Sequence, residues 1–195
     1  MDQKRLDGKR IAILATNGVE QVELLQPRQA LDKAGARTQL IAPESGTIQG
    51  WNHDRPGDRI PVDATIKQVS PHDFDALLLP GGVQNPDALR LDADAVQFVR
   101  MFASHQKPIA AICHGPWMLV EADAVKGKNL TSWPSLKTDI TNAGGAWTDQ
   151  PVVVDESLVT SRKPDDIPAF NEKMIALFAG ARLAKHGARV AGTAS

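Results

Sequence analysis

The chain alternates short, continuously apolar runs with longer stretches in which apolar residues recur every three or four positions. "RIAILAT" (10–16), "RTQLIAP" (37–43), "DALLLPGG" (75–82) and "PIAAIC" (108–113) show no in-out alternation. They therefore predict strands buried on both faces of a parallel sheet. Between the first two, residues 17–35 carry Leu24, Leu31 and Ala34 at helical spacing, with Gly35 as the C-terminal stop. Pro27 must lie near the start of that helix or kink it. Residues 91–107 predict an amphipathic helix with Val96, Val99, Phe102 and Ala103 on one stripe. "HGPWMLVEADAV" opens another helix, a further one falls near 136–146, and "PVVVD" and "LVTSR" are short apolar segments. A last helix covers 165–185, with Asp165 or Asp166 as cap and Pro168 in its first turn. Residues 44–75 are less regular and read as edge strands or a hairpin. Strands alternating with helices predict an α/β sandwich around a mostly parallel sheet.

Length and composition narrow this picture. A chain of 195 residues fits one domain with a core of its own. No internal repeat or linker divides it, so the expectation is a single domain over 1–195, folded from about 8 to 184. The tail from 185, "HGARVAGTAS" at 186–195, has few large side chains and is expected to be poorly ordered. The hydrophobic fraction of 42%, charged fraction of 23% and net charge of −1 are those of a soluble globular protein. They give no basic excess for nucleic acid or an anionic membrane. The N-terminus lacks the apolar region of a signal peptide, and no apolar run is long enough to span a bilayer. A single cysteine forms no internal disulfide, which fits a reducing cytoplasm. There is no CxxC, HxxxH, GxxxxGK[ST] or GxGxxG pattern, so neither a metal nor a nucleotide cofactor is expected.

Candidate chemistry collects at three strand ends. In an open parallel sheet ligands bind beyond the carboxyl ends of the strands. "NGVEQVE" follows the first strand, "PGGVQNPD" the third and "CHGP" the fourth. If those strands are neighbours, Glu20, Glu23, Gly81, Gly82, Asp87, Cys113 and His114 share one crevice. Cys113 is the most informative of them. A lone cysteine is ordinarily an inert buried residue. This one ends an apolar strand, precedes a helix and has Ala111 and Gly115 beside it, which suits a nucleophile on a tight strand-to-helix turn. A helix N-terminus there is expected to lower the thiol pKa. His114 is a candidate general base, or merely a helix cap, and the remaining histidines, His53 among them, read as structural. Glu23 either complements the helix dipole or donates a proton to the Cys113 sulfur, with Glu20 competing for that role. The Gly81 and Gly82 amides, with that of His114, are candidate oxyanion donors.

"AICHGPWML" resembles the nucleophile-elbow signature of the intracellular protease PfpI family. That family lies in the class I glutamine amidotransferase-like superfamily, which also contains the Parkinson-disease protein deglycase. "AILATNGVEQVELLQP", "FDALLLPGG", "LTSWPSLKTDITNAGGAW" and "VVVDESLVTSRKPDDIPAF" extend the resemblance over nearly the whole chain. It implies a flavodoxin-like three-layer sandwich in which Cys113 is the oxidation-sensitive nucleophile and Glu23, not Glu20, lies beside its sulfur. It further implies that His114 completes a dyad, that Asp87 faces His114 of a neighbouring subunit in a homodimer or larger assembly, and that Gly82 and the His114 amide bind the oxyanion. Gly81, Gly115 and Trp133 join the expected substrate-binding set, Trp133 standing where the deglycase branch has a histidine. Asp87 is one methylene shorter than the glutamate of that position. The late His-x-Glu of a true amidotransferase is absent. The expected activity is a stress-response cysteine-dependent hydrolase or lyase acting on a peptide, a glycated group or a small carbonyl. The alternative is a redox sensor or chaperone working through oxidation of Cys113.

Overall fold

A computed structural model describes residues 5–180 of the protein. Strand β1 (Arg10–Leu14) leads through the two-residue β2 (Val19–Glu20) into helix α1 (Gln21–Lys33), followed by β3 (Arg37–Ala42). The irregular segment forms a hairpin of β4 (Thr47–Asn52) and β5 (Arg55–Pro61), then β6 (Ala64–Thr65). Next come β7 (Ala76–Leu79), α2 (Gln84–Leu89), α3 (Ala93–Ser104), β8 (Ile109–Ile112) and α4 (Pro116–Glu121). The chain continues with β9 (Asn129–Leu130), α5 (Lys137–Asn142), β10 (Ala146–Trp147), β11 (Val152–Asp155), β12 (Leu158–Ser161) and α6 (Ile167–Phe178).

The central sheet has seven strands in the order β11-β12-β8-β7-β1-β3-β6. Its neighbours are parallel except β11 and β12, whose short connection reverses the chain. Because successive strand residues face opposite ways, β1 divides its side chains between two cores. Ile11 and Ile13 meet Leu24 and Leu31 of α1 and Phe170 and Met174 of α6. Ala12 and Leu14 join Val99 and Phe102 of α3, Met118 of α4 and Ile140 of α5. Helices therefore cover both faces, giving the expected three-layer α/β sandwich, and each fully buried Leu, Ile or Phe contributes about 1.5–3 kcal/mol. Among the described residues no helix is long and apolar enough to cross a membrane.

Two element boundaries differ from the sequence reading. Helix α1 begins at Gln21, because Val19 and Glu20 are drawn into pairing with Gly50 and Trp51 of β4. Pro27 lies inside α1 and is buried, so the helix forgoes the bond that an amide there would give to the Glu23 carbonyl. The final helix ends at Phe178; its expected continuation to 185 and the tail lie outside the described residues. From β1 the chain passes to β3 on one side, and β7 then pairs on the other. The loops leaving β1 and β7 diverge at this switch point, which opens a crevice beyond the strand ends.

Candidate active site

Cys113 directly follows β8 and adopts φ 61°, a left-handed conformation that costs a non-glycine residue roughly 1 kcal/mol or more. Its backbone is held from two sides. The Cys113 amide donates to the Ser161 carbonyl of β12 at 3.0 Å, and the Trp133 amide donates to the Cys113 carbonyl at 2.9 Å. The turn is tight enough to exclude a side chain at Gly115, whose Cβ would fall 2.4 Å from the Leu79 carbonyl oxygen. Gly115 thus lets α4 start against β7. It is not among the residues lining the crevice.

Glu23 in the first turn of α1 has no exposed surface. Its Oε2 accepts the Gly81 amide at 3.0 Å, and the carboxyl group interacts with the Cys113 thiol. Gly81 is needed for this approach, since a Cβ there would meet Oε2 at 2.5 Å and the Cys113 Cβ at 2.7 Å. Its amide is therefore spent on Glu23 rather than free for an oxyanion, whereas the amides of Gly82 and His114 favour the anionic form of the Cys113 sulfur. Burial pushes the Glu23 carboxyl up to about 8, aided by repulsion from Glu20. At neutral pH Glu23 therefore carries a proton beside the sulfur.

The expected depression of the thiol pKa is not what the surroundings produce. Burial pushes the Cys113 thiol up, and the Glu23 carboxylate pushes it further wherever that group ionises; the Gly82 and His114 amides pull the other way. Helix α4 has six residues, too short a dipole to outweigh desolvation. His114 follows the same rule: burial lowers it to about 4. Near neutrality the three groups are a carboxylic acid, a thiol and a neutral imidazole.

Adjacent side chains at a turn need not meet, yet His114 Nδ1 lies 3.2 Å from Cys113 Sγ. Its Nε2 faces Ser135 Oγ at 3.5 Å. A proton on Nε2 leaves the Nδ1 lone pair free to accept from the thiol. The ring is held between the edge of Trp117, at 5.2 Å, and Trp133, stacked at 5.9 Å and 24°. Asp87 is exposed on α2 and is not brought to His114 within the chain. The buried polar residue of that helix is Asn85, which accepts the Thr16 amide at 2.7 Å and donates to the Pro80 and Gly81 carbonyls at 3.1 Å. Asn85 thereby ties the ends of β1 and β7 together.

Cys113 and His114 sit in a pocket of about 680 Å³ with Glu23, Gly82 and Trp133. Sequence reasoning missed part of its wall. Trp51 and His53 come from the β4–β5 hairpin, and Lys163, Pro164 and Asp165 from the segment after β12. His53, read as structural, is a pocket residue with φ 59°. Glu20 grips it, accepting its amide at 3.1 Å and lying 3.5 Å from its Nδ1. The one signal for this contact was the spare acid Glu20 in "GVEQVEL".

Comparison with known proteins shows the family and the fold. The DJ-1/PfpI family matches residues 9–177. General stress protein 18 of Bacillus subtilis is 44% identical over 172 residues, 87% of this chain and 98% of that protein. Protein/nucleic acid deglycase 2 of Escherichia coli is 43% identical over 171 residues, 87% of this chain and 97% of that protein. The crystal structure of Drosophila melanogaster DJ-1beta superimposes with a TM-score of 0.80 at 29% identity, covering 88% of this chain and 91% of that one.

Proposed function

The chain belongs to the DJ-1/PfpI family, and from that premise we propose that it is a stress-response enzyme whose Cys113 adds to the carbonyl carbon of an aldehyde, free or borne by a glycated group. The observation that carries this reading is the contact of Cys113 Sγ with His114 Nδ1 at 3.2 Å, opposite a protonated Glu23. An un-ionised thiol needs a base to take its proton as the bond forms. An aldehyde is electrophilic enough to react on those terms, while an amide calls for a thiolate formed in advance. That difference favours deglycase- or glyoxalase-type chemistry over peptide hydrolysis, and the deglycase name of the relative from Escherichia coli points the same way.

In this mechanism the Sγ–C bond forms while the thiol proton passes to His114 Nδ1. The carbonyl π pair moves onto oxygen, where the Gly82 and His114 amides receive it. The imidazolium then returns the proton to that oxygen, leaving a hemithioacetal. With a 1,2-dicarbonyl, a proton shift between the two adjacent carbons converts the adduct to a thioester. Water hydrolyses it to a 2-hydroxy acid and frees the thiol. Asp87 of the partner subunit orients His114 in a homodimer.

The test is turnover of methylglyoxal, a glycated peptide and an unmodified peptide by the native protein, Cys113→Ser and Glu23→Gln. Hydroxy-acid release by the native protein, reduced at least about a thousandfold in Cys113→Ser, is the expected result. Peptide cleavage without aldehyde turnover would overturn the assignment. A second reading, oxidation of Cys113 as a signal, is favoured by the Glu23 donor beside the sulfur. It predicts no turnover of any of the three.

A further inference from the structure

The pocket wall says more about the substrate than that it contains a carbonyl. Most of the surface it exposes is carbon. Trp51 on β4, Val83 at the start of α2, Trp133 after β9 and Pro164 after β12 reach it from four separate segments. Val83 is 55% exposed and Trp133 39%, and these are two of the four large apolar side chains left exposed among the described residues. Scattered exposed apolar residues need no explanation, but two gathered at the rim of one pocket mark a binding surface.

Charged residues of the same wall lie against polar or charged neighbours. Glu20 bonds the backbone of His53 at 3.1 Å and lies 3.5 Å from its ring. Lys163 pairs with Asp165 at 3.0 Å, and Asp54 lies 4.0 Å from Arg55. A charged substrate group would compete with these exposed contacts. A flat apolar group breaks none, and aromatic rings offer it faces to lie against. Trp133 has one such face engaged with His114 and lines the same pocket as Cys113.

We infer that the pocket selects carbonyl compounds bearing a flat apolar substituent, an aryl group above all, with Trp133 as the residue that determines the preference. The inference rests on the reading of Cys113 as the attacking atom. It also goes beyond that reading, because small hydrated aldehydes and sugar-derived adducts gain little from such a wall.

Chloroacetone and 2-chloroacetophenone test it without turnover. They share one reactive group and differ in methyl against phenyl. Each alkylates a thiol with formation of an S–C bond, loss of chloride and release of the thiol proton. Labelling rates of Cys113 by the two are measured by intact mass and divided by their rates with glutathione, which removes intrinsic reactivity. The native protein is expected to favour the phenyl reagent at least about tenfold over that reference. Trp133→Ala should bring the preference to within about threefold, and Val83→Ser should lower it in the same direction. Equal labelling by the two reagents would overturn the inference and leave Cys113 as nucleophile intact. So would a preference that survives Trp133→Ala. Failure of both reagents to label Cys113 would overturn the inference together with the reading beneath it, and failure of the phenyl reagent alone would overturn the inference.

Discussion

Glu23 and His114 are both held neutral by burial, but their effects on stability run in opposite directions with pH. A carboxyl raised from 4.5 to about 8 keeps its proton in the native state while the unfolded chain loses it. Stability falls as pH rises through that interval, by an upper bound of roughly 5 kcal/mol. An imidazole lowered from 6.5 to about 4 is neutral in the native state while the unfolded chain binds a proton. Its contribution is present above 6.5 and is lost as pH falls towards 4. Between about 4.5 and 6.5 the two oppose, so urea midpoints should change little there and then drop from about 6.5 to 8. Glu23→Gln should abolish that drop, and a drop of unchanged size in the variant would show that another group causes it. Cys113 and Glu23 were legible in the sequence, because an apolar strand running into "CHGP" and an acid at the start of a helix are local signals. Trp51 and His53 were not, since what brings them to the pocket is pairing of β2 with β4, a contact between residues some thirty positions apart.

At the scale of elements, the site depends on close backbone approach between segments. Gly82, with φ 78°, would place a Cβ 2.4 Å from the Gly18 carbonyl oxygen and 2.6 Å from the Glu20 nitrogen. Gly127 has a similar φ of 73° but open space around it. Gly127→Ala should therefore cost only the conformational penalty, about 1 kcal/mol. Gly82→Ala adds an overlap with backbone that cannot swing away, and should cost at least about 3 kcal/mol and slow Cys113 labelling. Comparable denaturation midpoints for the two variants would contradict the packing described at the crevice. The buried strands were readable from their unbroken apolar runs. The start of α1 was not, because a two-residue strand has too short a pattern to announce itself.

At the scale of the whole molecule, the proposed pairing of His114 with Asp87 of a partner subunit makes a specific demand. Asp87→Asn should lose activity as a homo-oligomer, and so should Cys113→Ser. Mixed and reassembled, the two variants should recover about a quarter of the native rate, the share of sites that combine both intact residues if subunits associate at random. No recovery, or a monomer by sedimentation at assay concentration, would remove Asp87 from the mechanism and leave Ser135 as the only neighbour of Nε2 among the described residues. The exposed position of Asp87 on α2 is what such an arrangement needs, and the sequence placed it beyond the third strand without predicting that helix or which way the residue faces.

One carboxyl group joins the start of α1 to the end of β7 through the Gly81 amide and shields the thiol with its other side. Helix and reactive atom therefore come apart together. Any fluctuation that lifts α1 from the sheet also hands solvent an ordinary cysteine, with its usual acidity. The rise in Cys113 alkylation above its folded-state rate in mild denaturant thus reports how often that helix lets go, and the protein carries a native gauge of its own integrity.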